Sequence, residues 1–239
     1  MYQYNKIRAV ENIQQAILEG VYNMILKLDN IFYKYRKNAP NILNGMTYEF
    51  DKGKLYAIMG GSGSGKTTLI SIIAALDKPT GGKIYFDGAD ISKINGDEYR
   101  AKKVSIIFQQ YNLLYNYTAV DNIATILNVS GYKGDYMRRA DELLEEVDIP
   151  KEKRKYVVQD LSGGEQQRVA IARAISSNPE VILADEPTGN LDKTNGENVM
   201  QIFKGLMSKY NKCVIIVTHS DFIANYADCV LNIKNGKII

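Results

Sequence analysis

The sequence predicts an α/β fold with a mainly parallel sheet. Two observations carry that prediction. Short apolar runs of strand length recur at residues 55–59, 181–184 and 213–217, and segments with helical spacing of apolar residues lie between them. A run that is apolar at every position suits a strand covered on both faces. Strands alternating with helices are the pattern of a parallel sheet. At 239 residues, 45% hydrophobic and 24% charged, the chain can bury a sizeable core.

The elements follow in order. Residues 1–23 read as an N-terminal extension, because Ile7, Val10, Ile13 and Ile17 fall at the spacing of a short amphipathic helix. Glu19 and Gly20 can be encoded by a purine-rich run like a bacterial ribosome-binding site, just upstream of Met24. Met24 is therefore an alternative start, and the two readings stand side by side. Peptides from residues 1–22 of the native protein would favour the extension. Residues 24–239 form the main domain. A strand is expected over 25–32, then alternating Met46, Tyr48 and Phe50, a Lys52-Gly53 turn, and a buried strand over 55–59. A glycine-rich loop opens a helix from Gly65 to about Leu76. Residues 77–82 are a turn cluster, and strands follow over 83–87 and 104–108. Helices fill about 118–147, with Leu143, Leu144 and Val147 on an apolar face, and another helix runs from Ser162 to about Ile175. A strand over 181–184, a helix over 194–209 and buried strands over 213–217 and 229–233 complete the chain. The strandless stretch reads as a helical subdomain over about 111–177.

Composition excludes several classes. The formal charge is only +3 and no basic block stands out, so no nucleic-acid partner is expected. Cys213 and Cys229 lie in apolar runs and read as buried and reduced. No run reaches the ~18 apolar residues of a membrane helix. Glu11, Asn12, Gln14 and Gln15 interrupt any apolar signal core at the N-terminus. The expectation is a cytoplasmic chain whose membrane contact comes only through a partner.

Gly60, Gly61, Ser62, Gly63, Ser64, Gly65, Lys66 and Thr67 fit the phosphate-loop pattern of two glycines four residues apart, then Lys and a hydroxyl residue. Glycines let the backbone curl so that successive N–H groups face one anion. The loop feeds a helix N-terminus, whose dipole favours phosphate. Lys66 is expected to reach the β- and γ-phosphates of ATP, and the Thr67 hydroxyl to ligate Mg²⁺. The apolar strand over 181–184 ends in Asp185 and Glu186. Ligands bind at the C-terminal ends of parallel strands. Asp185 is expected to hold Mg²⁺ and Glu186 to act as general base on the attacking water.

Leu161, Ser162, Gly163, Gly164, Glu165, Gln166, Gln167 and Arg168 form a second helix N-terminus. Ser162 is a good N-cap, Glu165 completes a capping box, and the two glycines permit close backbone approach. This segment resembles the signature of ATP-binding cassette (ABC) transporter proteins. That resemblance implies a phosphate-loop NTPase core, an N-terminal antiparallel β subdomain and a helical subdomain carrying the signature. It also implies a dimer, a homodimer by preference, in which Ser162, Gly163 and Gly164 of one subunit close over ATP held by another. Further motifs fall in family order. Tyr35, with Tyr33 as rival, matches the aromatic residue that stacks on adenine. Thr68 follows the phosphate loop. Gln109 matches the glutamine that senses Mg²⁺ and the γ-phosphate. Asp192, in Asn190-Leu191-Asp192, matches the loop crossing the dimer interface. His219 matches the histidine at the γ-phosphate. Gly61 stands where Pro is common, Thr67 where Ser is common, and residues 156–160 lack a common Pro.

Residues 185–192, together with Phe108-Gln109, Asn112-Leu113-Leu114 and residues 118–123, resemble the branch of macrolide, lipoprotein and bacitracin-type exporters. The resemblance implies an ATPase subunit at the cytoplasmic face of the membrane, driving a separate permease that extrudes a peptide, antibiotic or lipoprotein. A cell-division-type regulatory ATPase, a soluble ABC ATPase of translation or repair, and an importer subunit are the alternatives.

Overall fold

The computed structural model describes residues 23–239, so the expectations for residues 1–22 lie outside the described residues. Two sheets organise the chain. The first is antiparallel and combines β1 (Met24–Tyr33), β2 (Leu43–Asp51), β4 (Gly81–Phe86) and β5 (Ala89–Asp90) in the order β2-β1-β4-β5. The second combines β3 (Leu55–Met59), β6 (Val104–Ile107), β7 (Val181–Asp185), β8 (Cys213–Thr218), β9 (Cys229–Lys234) and β10 (Lys237–Ile238) in the order β10-β9-β3-β8-β7-β6. All its pairings are parallel except β9 with β10. The helices are α1 (Lys66–Ile73), α2 (Gly96–Lys102), α3 (Ala119–Val129), α4 (Tyr136–Glu146), α5 (Gly163–Ile175), α6 (Lys193–Tyr210) and α7 (Asp221–Ala224).

The continuous apolar runs have a direct cause. Successive side chains of a strand point to opposite faces, and here each face has its own core. Val214 and Ile216 of β8 pack with α3, α4, α5 and α6, whereas Cys213, Ile215 and Val217 pack with α1 and the antiparallel sheet. β7 divides the same way, with Ile182 and Ala184 on one side and Val181 and Leu183 on the other. Parallel pairing in this register brings the C-terminal ends of β3, β7 and β8 to one edge, above which the phosphate loop runs into α1.

Three expectations need correction. α1 ends at Ile73, because Ala75 turns left-handed at φ 53°, and Leu76 is exposed. The turn cluster is shorter than read, since Gly81 and Gly82 already belong to β4. β9 is buried on one face only: Leu231 and Ile233 face the core, Val230 and Asn232 face out, and Cys229 is half-buried rather than buried. It sits one strand from the sheet edge, covered by the two-residue β10, and both cysteines are free.

Candidate functional site

A cavity of about 760 Å³ opens at that edge. It is lined by Tyr35, Ser62, Gly63, Gly65, Lys66, Thr67, Thr68, Gln109, Asp185, Glu186 and His219, with Ile42. Gly63 (φ 76°) and Gly65 (φ 103°) take left-handed conformations that curl the loop. A Cβ on Gly60 would lie 2.6 Å from Ser64 Oγ and 2.9 Å from the Ile233 carbonyl oxygen, so the sheet side of the loop has no room for a side chain. Gly65 is the N-cap of α1 and supplies no side-chain cap. The Lys66 ammonium donates to the carbonyls of Gly60 (2.7 Å) and Gly61 (3.1 Å).

The two acids at the end of β7 take different partners. Thr67 Oγ1 donates to Asp185 Oδ2 at 2.9 Å. Burial raises the Asp185 carboxyl above the usual range. The Thr67 hydrogen bond and the Lys66 charge oppose that rise, and the Glu186 charge adds to it. Glu186 turns left-handed at φ 46°, and its backbone N–H donates to Val217 O at 3.0 Å. Its side chain is thereby turned to β8, where Thr218 Oγ1 donates to Oε2 at 2.9 Å and His219 Nδ1 lies 2.7 Å from Oε1. A carboxylate acceptor at this contact matches the tautomer with its proton on Nδ1, in which Nε2 is the ring's other nitrogen. The His219 side chain is 75% exposed while that of Glu186 is 13% exposed, so histidine is the outer member of the pair.

Tyrosines 33 and 35 resolve by burial. Tyr33 is only 6% exposed and its hydroxyl donates to Asp77 Oδ2 at 3.0 Å, outside the cavity wall. Tyr35 is 65% exposed on that wall, edge-on to Tyr33 with ring centroids 5.2 Å apart, and its hydroxyl is 2.9 Å from the Thr68 hydroxyl. Gln109 enters from the end of β6, and its backbone carbonyl accepts from Asn190 Nδ2 at 3.3 Å. Tyr111 (φ 59°) and Asn112 (φ 50°) follow as consecutive left-handed residues. Arg173 of α5 holds them, donating to the carbonyls of Asn112 at 2.7 Å and Tyr111 at 3.0 Å. Sequence reasoning missed Arg173, since nothing in its own helix pattern marks a partner 61 residues away.

Ser162, Gly163, Gly164 and Asp192 do not line this cavity. They lie together at the N-termini of α5 and α6. Ser162 Oγ accepts from the Glu165 N–H at 3.3 Å, and the Ser162 N–H donates to Glu165 Oε2 at 2.9 Å, a complete capping box. Lys153 donates to Glu165 Oε1 at 2.6 Å. Asp192 caps α6, accepting from the Asn195 N–H at 2.9 Å. The two signature glycines differ: Gly163 is exposed, and Gly164 is buried against the Asn195 side chain.

Comparison with known proteins decides the family. Residues 43–189 match the family model described as ABC transporter. The chain is 39% identical over 214 residues to the uncharacterised ABC transporter ATP-binding protein YclH of Bacillus subtilis, covering 89% of this chain and 95% of that one. The chain belongs to the ABC transporter ATP-binding family. It is also 42% identical over 221 residues to the macrolide export ATP-binding/permease protein MacB of Campylobacter fetus, covering 90% of this chain but only 34% of that longer one. The dimeric ATP-binding cassette MJ0796, solved in a post-hydrolysis state bound to ADP and phosphate, superposes with a TM-score of 0.81 at 36% identity. That match covers 90% of this chain and 96% of the other.

The cavity of this cassette fits its family's ligands. A glycine loop closed to side chains at Gly60 and Gly65, opening an uncapped helix, is a cradle of backbone donors for a polyphosphate. The Thr67 hydroxyl and Asp185 carboxylate, with the Gln109 amide on the same wall, are an oxygen-rich donor set of the kind Mg²⁺ takes. Among the described residues no helix is long and apolar enough to cross a membrane.

Proposed function

We propose that this ABC ATP-binding subunit hydrolyses ATP in a dimer and drives a separate permease. Segments far apart in sequence supply one cavity wall, with a phosphate cradle on one side and the Glu186–His219 pair on the other, and that convergence carries the reading. Lys66 and the loop N–H groups hold the phosphates, and Tyr35 stacks on adenine. Thr67, Asp185 and Gln109 would hold Mg²⁺, which neutralises phosphate charge when bound. Glu186 takes the proton of the attacking water, whose oxygen bonds to the γ-phosphorus as the bond to the ADP leaving oxygen breaks. His219, held by Glu186 through Nδ1, presents Nε2 to the γ-phosphate. Ser162, Gly163, Gly164 and Asp192 lie off the cavity and serve the partner's nucleotide, which makes the dimer part of the site.

The likeness to macrolide export proteins supports an exporter at the cytoplasmic face of the membrane, acting on a peptide, antibiotic or lipoprotein. The chain spans about a third of MacB, whose name includes a permease, so a separate membrane subunit is the matching arrangement. The helical region of about residues 111–177 is the unit that carries the signature in this reading, within a domain of residues 24–239. The test is Glu186→Gln. It should bind ATP, lose turnover by ~10²-fold or more, and accumulate an ATP-bound dimer in size-exclusion chromatography. Undiminished turnover would remove Glu186 as general base.

A further inference from the structure

The signature glycines look interchangeable in sequence, and the structure separates them. A Cβ on Gly163 would meet only the Tyr111 hydroxyl, at 3.4 Å, an ordinary contact. A Cβ on Gly164 would lie 2.5 Å from Asn195 Oδ1, 2.7 Å from its Cγ and 3.3 Å from its Cβ. The last of these atoms cannot swing aside. Nor can the amide move freely, since Asn195 Nδ2 donates to Asp192 Oδ2 at 2.8 Å while the Asn195 N–H donates to Oδ1 of the same carboxylate. Gly164 is the second residue of α5 and has no positive φ, so its backbone suits any residue and alanine would be the better helix former there. Its lack of a side chain is explained by Asn195.

Asp192 is tied to the catalytic acids by short turns: the Gly189 N–H donates to Glu186 O at 3.0 Å and the Leu191 N–H to Thr188 O at 3.1 Å. A continuous chain of contacts therefore runs from Glu186 through Asp192 and Asn195 to Gly164. We propose that Asn195 is a positioning residue that keys the signature helix to the loop following the catalytic carboxylates, so that a subunit's own cavity and the face it offers to its partner's ATP move as one body. The proposal rests on the composite-site reading above. It differs from reading Gly164 as a gap left for the nucleotide.

A size exchange tests it. Gly164→Ala should lower turnover about tenfold or more, since ångström-scale misplacement costs up to ~10²-fold, while nucleotide binding to the monomer is unchanged. Adding Asn195→Ala should return most of that activity with Glu186 intact and, in the Glu186→Gln background, the ATP-driven dimer. Asn195→Ala alone should weaken the ATP-driven dimer in the Glu186→Gln background while leaving nucleotide binding to the monomer unchanged, a split that simple loss of packing would not give. A double variant as inactive as Gly164→Ala would overturn the proposal, because the methyl would then be clashing with nucleotide. Failure of the composite-site reading shows separately, as a Glu186→Gln parent that forms no dimer with ATP, and it would take the proposal with it.

Discussion

Two helix N-termini in this molecule are built from similar small residues and behave in opposite ways. α1 begins at Gly65, left-handed, without a side-chain cap or an acidic residue in its first turn. α5 begins at Ser162 with a full capping box, and Glu165 in its first turn is paired to Lys153. A side-chain cap contributes about 1 kcal/mol, and α1 forgoes it. Its free N–H groups and positive dipole end are left for water or an anion. α5 supplies its own carboxylate and is complete without a ligand, yet Ser162 stays exposed. In the proposed function the first terminus receives phosphate within the chain, and the second is a preformed surface carried to another molecule.

The contrast can be broken most severely at Lys66. Lys66→Ala should lower turnover or ATP affinity by ~10²-fold or more, as loss of a charge-stabilising donor does, and a steady-state assay with nucleotide titration reads it. Unchanged kinetics would mean that α1 is no receptor. Ser162→Arg should spare nucleotide binding by the monomer and abolish the ATP-driven dimer; a dimer that persists in size-exclusion chromatography would deny α5 its outward role.

Smaller effects sharpen the electrostatics. Asp185, opposite the α1 terminus, has its carboxyl raised by burial in the folded state. A group raised on folding contributes stability that is present below its unfolded value and lost as pH rises through its folded one. Asp185→Asn should therefore melt higher than the parent at pH 7, without nucleotide or metal, and lose that advantage below pH ~3.9, the ordinary aspartate value. Glu165 goes the other way. Burial pushes its carboxyl up, but hydrogen bonds from Lys153 and Ser162 outweigh it and hold the group below the usual glutamate range. A depressed group contributes stability above its unfolded value, lost as pH falls through the folded one. Glu165→Gln keeps the cap's shape but not its charge, so it should melt about 2 °C lower at pH 7. The gap should close as pH drops below ~4.3.

Much of this was legible in sequence because burial on both faces writes uninterrupted apolar runs, and because phosphate binding demands glycines at fixed spacing. Where a residue's reason lies in a distant neighbour, sequence was silent. α2 escaped notice because only Tyr99 of its seven residues is buried, so no apolar periodicity marks it. β5 and β10 have two residues each, too short for any pattern. Cys229 reads as core from its apolar neighbours, but its strand shows one face to solvent. Gly164 was read for close backbone approach alone, and its neighbour Asn195, which an added Cβ would meet, went unseen. The spacing of Asp192 and Asn195, three residues apart at a helix start, was the available hint.

Tyr35 has an optical consequence. The chain contains no tryptophan, and Tyr35 lines the cavity wall with most of its side chain exposed, while Tyr33 behind it is sealed. Tyr35→Trp would place a single indole fluorophore where a purine ring would stack. With excitation at the red edge, where the tyrosines do not absorb, its emission would then report nucleotide arrival and departure in real time.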